Sequence, residues 1–167
     1  MSNKITIIGA GQVGSTVAYA LTLKQLASEI VIIDILKDKA MGEAMDIRQG
    51  TPFIGPVYIH DGDYEDAKDS DIVIFTSGVG RKPGQSRLDL TQTNVNIAKS
   101  VIPLITKVAP NALYLIVANP VDILTYLFVK TSGIPANHIF GTGTMLDTAR
   151  FRARIAETYR VGATNVH

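Results

Sequence analysis

Apolar positions in this chain gather into short β-branched runs, and between the runs they recur every three or four residues. The first pattern suits strands buried on both faces, and the second suits helices. The change of period is sharpest in Lys4 to Gly14, KITIIGAGQVG, where an isoleucine-rich run breaks at Gly9, Gly11 and Gly14 and continues with helical periodicity. Ser15 to Ala27 then places Val17, Ala20, Leu21, Leu23 and Leu26 at near-helical spacing, and Ile30 to Ile33 forms a second strand ending at Asp34. Ile35 to Gln49 reads as a helix, Thr51 to Gly55 as a turn, Val57 to His60 as a short strand, Tyr64 to Lys68 as one helical turn, and Asp71 to Phe75 as a buried strand. A polar loop at Gly80 to Arg87 precedes a helix at Leu88 to Val108. Strands at Ala112 to Val117 and Ile139-Phe140 flank a helix at Val121 to Lys130, and Met145 to Tyr159 is the last helix. Strands alternating with helices predict an α/β fold with a parallel sheet whose ligands lie beyond the strand C-termini.

The strand ends carry the chemistry. Gly9, Gly11 and Gly14 form a G-x-G-x-x-G pattern, which lets the backbone turn sharply, approach an anion and pack a helix on the sheet. The free N–H groups and positive dipole end of that helix then face a pyrophosphate. Taken alone, the pattern also fits a strand-to-helix turn with no ligand. Asp34 stands 20 positions after Gly14, where a carboxylate accepts hydrogen bonds from an adenosine ribose and repels a 2′-phosphate, favouring NAD over NADP. Thr76 to Gly80 falls on the same edge, followed by a loop whose charges, Arg81, Lys82 and Arg87, are all cationic. A mobile loop is expected there, and a basic surface loop needs no ligand. Asn119 before Pro120 is compatible with a turn former, and Asp147 with Arg150 is compatible with a helical ion pair worth roughly 0.3 kcal/mol.

Composition narrows the class. The chain has 167 residues, enough for one domain with a sizeable core, and 16 Lys plus Arg against 15 Asp plus Glu leave no basic block for nucleic acid. It has no cysteine, which fits a reducing compartment and an expected cytoplasmic location. Charges or prolines interrupt every apolar stretch before membrane-spanning length, so a soluble protein with no membrane partner is expected. No cluster of His and carboxylates has metal-ligand spacing, and no metal is expected.

Taken together, GAGQVG, the acidic end of IVIID, GRKPGQSRLDL, VANPVD and GTGTMLDTARFR resemble the NAD-dependent lactate and malate dehydrogenase family in its lactate-dehydrogenase-like branch. The resemblance runs from Gly9 to Arg152 and implies a doubly wound (Rossmann) sheet of about six strands in the order 3-2-1-4-5-6. It implies NAD contacts at Gly9, Gly11, Gln12, Val13, Gly14, Thr76 and Gly78, the adenosine ribose at Asp34, and the nicotinamide side at Asn94 and Val117. Asn119 would touch both the nicotinamide ribose and the substrate. Arg87 matches an arginine that closes over the substrate and polarises its carbonyl, and Arg150 one that clamps the substrate carboxylate. Asp147 matches the carboxylate that orients a catalytic histidine. Arg81 is the informative position: lactate dehydrogenases typically have glutamine there and malate dehydrogenases arginine, which pairs the second carboxylate of oxaloacetate. Malate is therefore expected as substrate, with lactate as the alternative. Arg152 and His167 match positions that bind an anionic sugar-bisphosphate effector in some bacterial relatives.

The family's general base lies in a G-E-H-G-D motif that this sequence lacks, since His60, His138 and His167 all read as strand-end or terminal residues. The expectation is a single NAD-binding domain over residues 1–167, without the substrate half, that binds NAD and does not turn over. A complete enzyme of this family would be a homo-oligomer acting on a small 2-oxo or 2-hydroxy acid. A stand-alone NAD-binding module without chemistry is the alternative of another class.

Overall fold

A computed structural model describes residues 3–81 and 83–167; Lys82 of the cationic loop lies outside the described residues. Among them, six strands form one parallel sheet in the order β3-β2-β1-β4-β5-β6, the order expected from the sequence. The strands are β1 Lys4–Ile8, β2 Glu29–Ile33, β3 Tyr58–Asp61, β4 Ile72–Phe75, β5 Leu113–Ile116 and β6 Ile139–Gly141. The helices are α1 Gln12–Leu23, α2 Lys37–Gly50, α3 Arg87–Val108, α4 Val121–Thr131 and α5 Met145–Tyr159. None of the described helices is long and apolar enough to cross a membrane.

The two-residue period of the strands divides the core between the sheet faces. Ile5, Ile7, Ile30, Ile32 and Ile59 turn towards Ala18, Ala40, Ala44 and Ile47 of α1 and α2. Ile8, Val31, Ile33, Phe75 and Ile116 turn the other way, towards Ala98, Ile102, Ile105, Leu124 and Phe128 of α3 and α4. Phe75 meets Phe128 edge-on at 5.1 Å, a geometry that favours the ring quadrupoles. Tyr114 is fully buried, its hydroxyl donating to the Ala109 carbonyl at 2.8 Å, and burial raises the phenol well above its usual pKa.

Several boundaries differ from the sequence reading. Helix α1 begins at Gln12 rather than Ser15, and its buried face is Gly14, Ala18 and Thr22, whereas Ala20, Leu23 and Leu26 are exposed. Small residues let the helix lie close to the sheet, with Val17 and Leu21 packing beside them and Leu23 pointing away. Helix α2 starts at Lys37 rather than Ile35, because Asp34 Oδ1 accepts the Leu36 N–H (2.9 Å) and Ile35 and Leu36 stay outside the helix. Arg87 is not a loop residue but the first of α3, whose start is fixed by a capping box between Ser86 and Asp89.

Candidate functional site

The glycine turn leaves β1 with Gly9 at φ +111°, a backbone state that favours glycine, and its N–H donates to the Ile33 carbonyl at 2.7 Å. A Cβ on Gly14 would lie 1.8 Å from the Gly9 carbonyl oxygen, so the first turn of α1 is pressed onto the end of β1. Gly11 differs from both. It is the α1 N-cap in extended backbone, and a Cβ there would meet nothing within 4 Å. The fold itself makes no demand for glycine at that position, and the space beside it is open to a ligand.

Helix α1 has no side-chain cap and no acidic residue in its first turn, so its leading amides are offered to an anion. Gln12 and Val13 are exposed in that turn. Asp34 closes the turn from the side, where its Oδ2 accepts the Ala10 N–H at 2.7 Å. The carboxylate thus braces the glycine turn while keeping lone pairs for a ribose. Thr76 donates its hydroxyl to the Ile8 and Gly9 carbonyls, both at 3.0 Å, and so buttresses the turn from β4.

At the other end of this edge, Asn94 is 3% exposed and fully engaged with backbone. Its Oδ1 accepts the Val79 N–H (2.9 Å), and its Nδ2 donates to the Asn119 carbonyl (2.8 Å) and the Val79 carbonyl (3.3 Å). Gly78 leaves room for this amide, since a Cβ there would approach Asn94 Oδ1 to 3.3 Å. Val117 is half-buried at the end of β5, and Asn119 is exposed just beyond it.

The residues that the resemblance assigns to the substrate are held more loosely. Arg81 is exposed, with Nε donating to the Gln85 carbonyl at 3.0 Å, and Arg87 is exposed at the start of α3. Asp147 and Arg150 pair with each other at 3.3 Å, each about 70% exposed at 73% and 68%. Arg152 lines a cavity of about 420 Å³ with Thr142, Thr144, Met145, Thr148 and Ala149, its Nε buried and unpartnered. His167 is exposed. None of the residues lining this cavity belongs to the glycine turn.

The sequence pattern did not reveal Tyr64, nor the contacts made by Ala10 and Ser77 within the stretches it singled out. A Cβ on Gly9 would come within 3.0 Å of the Ser77 N and Oγ, so Ser77 completes the wall behind the turn. Tyr64 is near enough to Asp34 that burial first, and the Asp34 charge second, raise its phenol pKa. Its place in a turn between two acidic residues gave no sign of this. No group of three or more metal-binding side chains occurs among the described residues.

The family described as lactate/malate dehydrogenase, NAD binding domain, matches residues 3–141. The chain belongs to the lactate/malate dehydrogenase family. An L-lactate dehydrogenase of Clostridium perfringens is 55% identical over 166 residues, covering 99% of this chain and 52% of the relative. L-lactate dehydrogenase 1 of Clostridium acetobutylicum is 51% identical, with 99% and 53% covered. Among solved structures, the minor L-lactate dehydrogenase of Enterococcus mundtii superposes with a TM-score of 0.95 at 42% identity, covering 99% of this chain and 53% of that one. The malate dehydrogenase of Picrophilus torridus does so at 0.93 and 39%, covering 98% and 53%. The chain therefore spans about half the length of the relatives it matches. NAD is the cofactor of the domain, and the open face of Gly11, the bare α1 N-terminus and the braced Asp34 fit it.

Proposed function

We propose that this chain holds NAD for a dehydrogenase that moves hydride to or from a small 2-hydroxy acid, and that on its own it binds NAD(H) without turnover. The observation that carries this is the glycine turn, in which Gly9 and Gly14 are locked by contact while Gly11 stays open beside the α1 amides. Bound NAD supplies the hydride-accepting nicotinamide. Asp34 would accept from the adenosine ribose, and Val117 and Asn119 would flank the nicotinamide end. Arg87 would polarise the substrate carbonyl and Arg150 would clamp its carboxylate. Asp147 would orient a general base supplied from outside this sequence. Its present pairing with Arg150 is long and solvent-exposed, so releasing it costs little. The absence of cysteine supports a reducing, cytoplasmic setting.

For the substrate, the relatives' names support lactate and pyruvate better than the malate expected from Arg81. Arg81 keeps malate as a second reading, because an arginine facing pyruvate's methyl would be left unpaired. Two assays separate these claims. The chain mixed with NADH and either oxaloacetate or pyruvate is expected to show NADH binding and no steady turnover; sustained turnover would show that it carries its own base. In a version joined to its catalytic half, Arg81→Gln is expected to shift kcat/KM from oxaloacetate towards pyruvate by about tenfold or more. An unchanged ratio removes the role assigned to Arg81.

A further inference from the structure

The adenosine end of the cofactor edge carries a charge pair to which the resemblance gives no role. Asp34, just beyond β2, accepts the Ala10 N–H with Oδ2 and the Leu36 N–H with Oδ1, so its carboxylate lies against the segment that leads into α2. Lys37 follows Leu36 and opens that helix. Its Nζ lies 2.8 Å from Oδ1 and 3.1 Å from Oδ2 of Asp63, which stands just after β3. The Asp63 hydrogen bond first, and the Asp63 charge second, raise the Lys37 pKa, and Glu65 adds to the effect. The lysine is thus a full cation already committed to a carboxylate. Tyr64, next after Asp63, feels the Asp34 charge at its phenol, so Asp34 and the ion pair border one corner of the edge. That corner is where two cofactors differ. NADP is NAD with a phosphate on the 2′ oxygen of the adenosine ribose, and a ribose held by Asp34 would carry this phosphate towards the start of α2. A free lysine there would pair with it as a point charge.

We propose that Asp63 is a specificity-determining residue: by occupying Lys37 it withholds from a 2′-phosphate the cation that would otherwise receive it, and so supplements Asp34 in favouring NAD over NADP. This rests on the placement of the adenosine ribose at Asp34. Asp34 acts on the 2′ position by its own charge, whereas Asp63 acts through Lys37. Asp63→Asn removes the charge, keeps the side-chain volume, and keeps a favoured N-cap for the short turn that Asp63 begins. It leaves Lys37 free.

The test is calorimetric titration with NADH and with NADPH of the wild-type chain, of Asp34→Ser, of Asp34→Ser with Asp63→Asn, and of that double variant with Lys37→Gln added. Adding Asp63→Asn to Asp34→Ser is expected to raise NADPH affinity by about threefold or more while NADH affinity stays within about twofold, and Lys37→Gln is expected to cancel the gain. A residue that merely holds the turn after β3 would move both cofactors alike. A smaller gain, an equal change for NADH, or a gain that survives Lys37→Gln overturns the proposal. If Asp34→Ser does not fold, Asp34→Asn provides the background and the same criteria apply. Should the wild-type chain fail to bind NADH, the NAD assignment itself fails. Should the Asp34 variant bind NADH as tightly as wild type, the ribose placement fails. Both results are distinct from a failure at Asp63.

Discussion

At the glycine turn, Gly14 sits where a single methyl group would collide with the Gly9 carbonyl, and Asp34, Thr76 and Ile33 bind the turn from three sides. On α5 the buried residue is Ala156, while Met145, Leu146, Phe151 and Tyr159 are all more than half exposed. Asp147 and Arg150, the pair proposed for the substrate side, stand on that same helix, facing solvent. The cofactor edge is therefore shaped before any ligand arrives, which lowers the ordering cost of binding. The residues assigned to the substrate have no comparable support within this chain. The regions proposed for cofactor and for substrate are separable here in structural terms, and three substitutions test the contrast.

The largest effect belongs to Gly14→Ala. Overpacking against the Gly9 backbone is expected to destabilise the domain by about 3 kcal/mol in urea unfolding, with loss of NADH binding. A loss below about 1 kcal/mol would mean that the turn yields easily and is not rigidly formed.

A smaller effect lies at the opposite ends of the same strands. Burial pushes the Glu29 carboxyl up, but hydrogen bonds and charge from Lys4 at 3.0 Å and His60 at 3.2 Å outweigh it and hold the pKa below the usual carboxylate value. A carboxylate with a lowered folded pKa contributes stability above its unfolded pKa of about 4.3, and the contribution is lost as pH falls through the folded value. Wild type is thus expected to lose roughly 0.5–1 kcal/mol more than Glu29→Gln between pH 6 and pH 3. Parallel losses in the two proteins would remove this brace from the sheet half.

The smallest effect is expected on α5, where Asp147→Asn should change unfolding free energy by less than about 0.5 kcal/mol. A larger loss would show that the exposed pair organises the helix after all and would narrow the contrast with the glycine turn.

The strands and the location of the cofactor edge were legible because both depend on period and on glycine spacing, which are local properties of the chain; the strand order came only with the family resemblance. The face of α1 was legible only in part. Val17 and Leu21 pack on the core as their spacing suggests, but packing at the turn requires the small stripe of Gly14, Ala18 and Thr22, and spacing alone does not choose between stripes of one helix. The backbone partners of Asn94 were not legible, because Val79 and Asn119 lie 15 and 25 residues away and meet it only when β4 and β5 pair. Tyr64 was missed for the same reason, since its neighbour Asp34 lies 30 residues away, just beyond the end of β2. The ion pair of Asp147 and Arg150, a contact between residues three apart, was readable from spacing as one alternative.

Gly11 offers the most direct test that NAD lies on the glycine turn. The fold leaves this position open, its extended backbone accepts any residue, and aspartate is a favoured N-cap that also complements the helix dipole. Gly11→Asp should therefore fold with wild-type or slightly higher stability, while its carboxylate repels the pyrophosphate and lowers NADH affinity by about a hundredfold or more. A folded Gly11→Asp chain that binds NADH as tightly as wild type would contradict the placement of the cofactor on this turn.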